Sequence, residues 1–191
     1  MGLMKILKGS VFSMATALAL FAHAQAANNQ ETSPVSEKQV SWKEFHSVSG
    51  KCKMNFPDNP QHVSENMNFS EEGYSLKYDA YISSLDKQTV FMLLIAQYPD
   101  FVDESYARMS LEGFLNGILN HSPGNQLIFA DLLLVDGREA LDFFIRTGSV
   151  YFKGRAMMVK NSLYLMAMEC EMKSYNETHY NSFISSFKLA N

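Results

Sequence analysis

Most of the chain alternates apolar and polar residues with the two-residue period of β-strands. In the segment "KCKMNF", Cys52, Met54 and Phe56 fall on one side and the polar residues fall on the other. This is typical of a strand with one buried face. The run "TVFMLLIAQY", residues 89–98, is instead apolar at almost every position. It predicts a central strand that is covered on both faces of its sheet.

Two segments repeat their apolar residues at helical spacing. The first runs from Glu104 to about Asn120, and Asp103 is placed to cap its N-terminus. The second runs from Asn176, itself a capping residue, to about Ser186. Asp and Asn are favoured caps because their side chains accept hydrogen bonds from free backbone N–H groups. The pattern therefore predicts one helix in the middle of the chain and one near its end.

The connections between the predicted strands are short. Asp136-Gly137 and Lys160-Asn161 each separate two strand-like runs, and such short connections are typical of β-hairpins. Parallel strands would need crossovers of about a dozen or more residues, and few segments are that long. The sequence thus predicts an α+β fold: a single α/β/α sandwich, in which a mainly antiparallel sheet is flanked by helices.

The N-terminal segment has the order of a secretory signal peptide. Lys5 and Lys8 precede an apolar stretch at residues 11–22, and small residues follow in "AHAQAA". An uncleaved anchor helix is the alternative, but an apolar run of about a dozen residues is short for a membrane span. We predict a signal peptide at residues 1–26, a flexible polar segment at residues 27–40 and one folded domain at residues 41–191.

The charge balance narrows the classes of partner. Removing the two lysines of the signal peptide from 16 basic residues leaves 14 against 20 acidic ones, so the net charge moves from −4 to −6. Domains that bind nucleic acid concentrate positive charge, and we therefore predict no nucleic-acid partner. We expect a monomer, periplasmic or secreted, without a membrane span once the signal peptide is removed.

Motifs of catalysis are missing from the sequence. It has no G-x-S-x-G nucleophile motif and no phosphate-binding glycine loop. We predict no catalytic residue, no cofactor and no enzymatic activity. The histidines beyond the signal peptide also lack the spacing of zinc sites; they are His46, His62, His121 and His179.

Two pairs of carboxylates are candidates for acid–base chemistry. Glu169 and Glu171 alternate on one face of a strand, and Asp131 and Asp142 interrupt apolar strands. A structural interpretation is preferred, in which the glutamates face solvent and the aspartates pair with arginines across neighbouring strands. The candidate arginines are Arg138, Arg146 and Arg155.

Sulfur atoms recur at every second position of "LYLMAMECEM", residues 163–172. Met166, Met168, Cys170 and Met172 would share one strand face. Soft sulfur ligands select Cu(I), which makes Met166, Met168 and Cys170 metal-site candidates. Met also fills irregular spaces in apolar cores, and it is used throughout this chain. Core packing is the preferred interpretation, so we predict no metal site.

Cys52 and Cys170 are the two cysteines of the chain. An oxidising compartment would permit a disulfide between them, provided that their strands are neighbours or lie close across a layer. The other alternative is two buried free thiols. The residues leave both alternatives open.

Three segments together resemble the PsbP-like superfamily, which includes the PsbP subunit of photosystem II and many small exported bacterial proteins. They are "FHSVSGKCKMNFPDNP", "DGREALDFFIRTGSVYFKGRAMMVKNSLYLMAMEC" and "FISSFKL". The resemblance implies an α/β/α sandwich and a non-enzymatic accessory protein that binds partner proteins. It assigns no functional residues to this chain, because none of the family's binding motifs are present.

The functional prediction combines export with this resemblance. We expect an exported, non-enzymatic accessory protein that binds another protein of the envelope or the secreted fraction. Tyr81, in the strand "YSLKYDAYIS", is the candidate for an exposed aromatic contact. The alternative is an envelope protein that binds a small molecule or Cu(I).

Overall fold

The computed structural model describes residues 40–69 and 74–190, with side chains described except at 67–69 and 74. The predicted signal peptide lies outside the described residues, as does the predicted flexible segment up to residue 39. Within the described ranges, no helix is long and apolar enough to cross a membrane.

Ten strands and two α-helices make up the described chain. The strands are β1 (Lys43–Ser47), β2 (Cys52–Phe56), β3 (Gln61–Phe69), β4 (Tyr74–Ser84), β5 (Thr89–Gln97), β6 (Asn125–Val135), β7 (Arg138–Thr147), β8 (Val150–Val159), β9 (Ser162–Glu171) and β10 (Lys188–Leu189). The helices are α1 (Ala107–His121) and α2 (Glu177–Ser185), and short 3-10 turns at Glu104–Tyr106 and Met172–Ser174 precede them.

Two sheets organise these strands, and every strand pair is antiparallel. The large sheet has the order β3-β4-β5-β9-β8-β7-β6, and the small sheet has the order β1-β2-β10. The small sheet was not predicted from the sequence, because membership of a sheet depends on contacts between β2 and residues near the end of the chain.

The large sheet is covered on both faces, which confirms the predicted α+β sandwich. Helix α1 packs on one face, here called the α1 face, where Leu111 and Phe114 belong to the same buried core as Met92 and Leu94 of β5. Helix α2 and the small sheet cover the opposite face, called the α2 face. The alternation along β5 sends successive side chains into the two cores, so that this strand is buried as its sequence predicts.

The capping and turn predictions are largely confirmed. Asn176 accepts a hydrogen bond from the backbone N–H of His179 at the start of α2. Asp103 accepts from the N–H of Ser105 at 2.9 Å, although it caps the 3-10 turn rather than the α-helix, which begins at Ala107. The two predicted hairpin turns join β6 to β7 and β8 to β9.

Candidate functional site

The three metal-site candidates lie in the core of the α2 face. Met166, Met168 and Cys170 are exposed by only 1%, 1% and 0%, as expected for core packing. Met172 follows the strand in a 3-10 turn and is 38% exposed, so it does not extend the row. In the described part of the chain, no group of three or more His, Cys, Asp or Glu side chains is arranged to hold a metal ion.

Cys52 and Cys170 share this core but belong to different sheets. The turn before β2 lies over Tyr164, whose hydroxyl donates to the carbonyl of Gly50 at 2.9 Å. Both cysteines are free thiols in the structure. Burial raises the pKa of Cys52 to about 12 and that of Cys170 to about 11.

Tyr81 is buried, and its prediction as an exposed contact is wrong. Its side chain is 6% exposed because the small sheet covers this part of β4. The Tyr81 hydroxyl lies 3.0 Å from Oγ of Ser47, and its ring stacks on His62 at a centroid distance of 4.5 Å. The residue therefore joins the two sheets.

The carboxylate predictions have mixed outcomes. Asp142 accepts two hydrogen bonds from Arg155 on β8, at 2.6 and 2.7 Å, which confirms a cross-strand pair. Asp131 lies exposed on the outer strand β6. Glu171 pairs with Lys173 near the surface. Glu169 is half-buried rather than fully solvent-facing, and burial raises its pKa to about 7.

A cleft of about 370 Å³ opens where one end of the large sheet meets the small sheet. The strand register aligns Lys77 with Gln97, Gln97 with Ser162, and Ser162 with Val159, across β4, β5, β9 and β8. Arg138 follows at the start of β7. Apart from Val159, the residues of this row are polar, and the row forms one wall of the cleft.

The turn between β1 and β2 forms the opposite wall. Gly50 approaches the sheet so closely that a Cβ there would lie 2.2 Å from Cδ1 of Ile95, so a larger residue would require the Ile95 side chain to move. Lys51 follows, and its carbonyl accepts a hydrogen bond from the N–H of Ala190 at 2.7 Å. The β1–β2 turn and the end of the chain are thereby fixed beside each other at the cleft.

Positive charge is concentrated in this cleft, which we call the basic cleft. Lys51, Lys77, Arg138 and Lys160 line it, and Asp79 is the one carboxylate among its described lining residues. The carboxylate of Glu104 lies beside them and accepts a hydrogen bond from the backbone N–H of Lys160. Asp79 lies 3.7 Å from the Lys77 ammonium and 2.8 Å from Nε2 of His62. Within residues 40–69 and 74–190, no carboxylate forms an ion pair with the other three cations, whereas six cations elsewhere are paired. Those six are Lys43, Lys53, Arg108, Lys153, Arg155 and Lys173.

A second cavity of about 240 Å³ adjoins the basic cleft. We call it the methionine cavity, because Met157 and Met166 line it. Arg138 and Leu189 line both spaces, and Lys188 adds a further cation that forms no ion pair among the described residues. The remaining lining residues are Val135, Asp136, Arg155, Ile184 and Phe187.

The sequence contains little that would reveal the basic cleft. Of its four cations, Arg138 is predicted from the sequence only as a possible partner of an aspartate, and Lys160 only as part of a hairpin turn. Lys77, Arg138 and Lys160 are far apart along the chain and stand in ordinary turn and strand-end contexts. Only the strand order of the large sheet brings them together.

The fold is PsbP-like. No family model and no curated protein match the sequence. Among solved structures, cyanobacterial PsbP (CyanoP) from Synechocystis sp. PCC 6803 is similar with a TM-score of 0.51 and 12% identity, over 83% of this chain and 98% of that chain. A protein from Bacteroides thetaiotaomicron matches with a TM-score of 0.42 and 10% identity, over 78% of this chain and 48% of that chain. The similarity to CyanoP confirms the fold expected from the resemblance.

Proposed function

We propose that this protein is an exported, non-enzymatic accessory protein that binds an acidic segment of a partner protein in the basic cleft. One observation carries the proposal: cations without carboxylate partners converge on one cleft of a chain whose net charge is negative. Lysine and arginine side chains bind carboxylates through charge-assisted hydrogen bonds. A local positive field also steers anionic partners towards the cleft.

Backbone conformation adds support for this assignment. The non-glycine residues with positive φ in the described chain are Lys51 (46°), Asp136 (50°) and Lys160 (54°). All three line the basic cleft or the methionine cavity. Asp136 and Lys160 adopt this conformation because two-residue hairpin turns require positive φ. These turns fix Lys160 at the basic cleft and Asp136 at the methionine cavity.

The ionisation state of Asp79, the carboxylate of the basic cleft, supports a binding site rather than a site of acid–base catalysis. Burial alone would raise the pKa of Asp79, but hydrogen bonds from Ser64 and His62 hold it below its usual range. The carboxylate is therefore ionised at neutral pH, and its oxygens are already occupied as acceptors. A general base would need a pKa nearer the working pH.

The charges of the residues that line the methionine cavity disfavour the alternative, a Cu(I) site in that cavity. Met157 and Met166 line one cavity, but Arg138, Arg155 and Lys188 line it as well. Arg155 is neutralised by Asp142, which leaves two cations against Asp136. The positive potential of these side chains and of the adjoining basic cleft disfavours a metal cation.

A charge-matched pair of variants tests the proposal. The triple variant Lys51→Gln, Arg138→Gln and Lys160→Gln removes the unpaired cations of the cleft. Its control, Lys43→Gln, Lys53→Gln and Lys173→Gln, removes as much charge from ion pairs elsewhere. Affinity for a fluorescent glutamate-rich peptide is measured at low salt by anisotropy. We expect the cleft variant to lose about tenfold or more, and the control to stay near the wild type.

Equal losses in the two variants would contradict a localised site, because the effect would then follow net charge alone. Export is tested separately by N-terminal sequencing of the protein from its native host. A mature N-terminus within "AHAQAA" is the expected result. An intact Met1 would contradict export by signal cleavage.

A further inference from the structure

The methionine cavity differs chemically from the basic cleft beside it. Its floor is apolar, with Met157 and Met166 exposed by only 3% and 1%. Ile184 and Phe187 form a half-buried apolar wall. At about 240 Å³ it is smaller than the roughly 300–1,000 Å³ pockets that hold drug-sized ligands. Such a space suits one apolar side chain better than a whole small molecule.

The rim of the methionine cavity is cationic. Arg138 and Lys188 have no carboxylate partner among the described residues, and Arg155 is fixed by its bidentate pair with Asp142. Arg138 and Leu189 line both spaces, so the cavity and the basic cleft are direct neighbours and a ligand segment that lies across both contacts each of them. The complementary ligand therefore has an apolar group next to negative charges.

Resting on the proposed function, we infer that the partner segment carries one hydrophobic side chain beside its acidic residues. The hydrophobic side chain enters the methionine cavity and contacts Met157, Met166 and Phe187. The carboxylates occupy the basic cleft and contact Lys51, Arg138 and Lys160. The apolar contact gives selectivity among acidic segments, which the cations alone would bind with little discrimination.

Two glutamate-rich peptides that differ at one central residue, leucine or alanine, test this inference on the wild-type protein. Burial of the leucine side chain is expected to strengthen binding about tenfold or more over the alanine peptide. A photoreactive leucine analogue at the same position should cross-link to residues of the methionine cavity, identified by mass spectrometry. Cross-links confined to β6, with its exposed Leu132 and Leu134, would overturn the inference.

Filling the cavity provides the matched variant. Ile184→Trp places a larger side chain in the half-buried wall of the cavity, and it should abolish the preference for leucine while the alanine peptide still binds. Leu134→Trp on β6, where the leucine is 70% exposed, is the control and should keep the preference. A preference that persists in folded Ile184→Trp would overturn the assignment of the cavity.

The remaining outcomes separate the two proposals. Equal binding of both peptides overturns the hydrophobic contact and leaves the proposed function intact. If neither peptide binds better than an uncharged one, the proposed function fails and the inference with it. Displacement of the leucine peptide by an equal concentration of dodecanoate would identify an amphipathic small molecule, rather than a protein segment, as the occupant.

Discussion

The two faces of the large sheet bury their apolar groups in different ways. The α1 face is an apolar layer in which aliphatic and aromatic residues of α1 pack on the sheet. The α2 face mixes apolar groups with charge: Asp79 and Lys153, the charged residues that are buried in the described part of the chain, both lie there. Both cavities also open on the α2 side.

Lys153 illustrates how the α2 face holds a buried charge. Its ammonium lies 2.8 Å from both carboxylate oxygens of Glu177 and 4.4 Å from the ring centroid of Tyr180. Charge-assisted hydrogen bonds and the π-face of an aromatic ring both compensate for lost hydration. Helix α2 is thereby fixed to β8 by a polar contact, whereas α1 is held mainly by apolar burial. The face with satisfied polar groups is the one that can support a binding site.

The largest expected effect is the loss of an apolar contact on the α1 face. Phe114 is 1% exposed, and its ring lies 6.0 Å from that of Phe143. Phe114→Ala should lower the free energy of unfolding by about 3–5 kcal/mol, because it leaves a cavity. Urea denaturation measures the change, with Phe101→Ala at a 51% exposed position as the control. Equal, small changes in both variants would show that α1 does not depend on this contact.

Breaking the ion pair between Lys153 and Glu177 on the α2 face should lower the free energy of unfolding by a smaller amount. Burial alone would raise the pKa of Glu177, but hydrogen bonds from Lys153 and Tyr175 hold it below its usual range. Glu177→Gln should lower the free energy of unfolding by about 1.5–3 kcal/mol, because the ammonium loses a charged partner.

A double-variant cycle isolates this interaction. Lys153→Met removes the buried charge, so adding Glu177→Gln to it should have a much smaller effect, limited to the hydrogen bond from Tyr175. If Glu177→Gln is as costly with Met at position 153 as with Lys, the carboxylate does not act through Lys153.

Stability should also depend on the carboxyl of Glu169, which lies between Val90 and Phe152 on the neighbouring strands. Burial raises its pKa to about 7, above that of an unfolded chain. The folded state therefore binds the proton more tightly, and the stabilisation that is complete at acidic pH is lost as the pH rises through 7. We expect a loss of about 1–2 kcal/mol for the partly exposed group.

Denaturation of the wild type and of Glu169→Gln at pH 5 and pH 8 measures this dependence. Glu169→Gln should remove the decrease in the free energy of unfolding between pH 5 and pH 8. Glu171→Gln, at a more exposed position, should leave this decrease unchanged. The prediction would be refuted if the stability of the wild type and that of Glu169→Gln changed by the same amount between pH 5 and pH 8.

A substitution within α1 is expected to give a smaller change, which is a gain in stability. The hydroxyl of Ser110 is fully buried and has no hydrogen-bond partner among the described residues. Ser110→Ala should raise the free energy of unfolding by up to about 1 kcal/mol, because a buried hydroxyl without a partner destabilises the fold. Thermal denaturation measures the gain. A clear loss of stability would show that this hydroxyl has a partner in solution.

The smallest expected effect concerns the thiols of the α2 face. Because Cys52 and Cys170 are free and buried, a reductant should leave the melting temperature unchanged. Without reductant, iodoacetamide should label both cysteines in denaturant and neither in the folded protein. An unreduced, denatured protein that takes up no label would establish the disulfide instead.

Local patterns were sufficient to predict most of the elements. Alternation predicted β2 and β5, the hairpin dipeptides predicted the turns, and Asn176 predicted the start of α2. These features depend on interactions within a few residues. Exposure was predicted less well, as Tyr81 and Glu169 demonstrate, because a strand face is solvated only if no other layer covers it.

The class of fold follows from local pattern, since the periods of apolar residues and the short connections allow few arrangements other than an antiparallel sheet with helices. The same pattern places Met166, Met168 and Cys170 on one strand face. Packing between distant segments makes this face part of the core and puts the two cysteines in different sheets. The tertiary structure alone brings Lys51, Arg138 and Lys160 to one cleft, because the strand order, which joins residues distant in the chain, is fixed by packing.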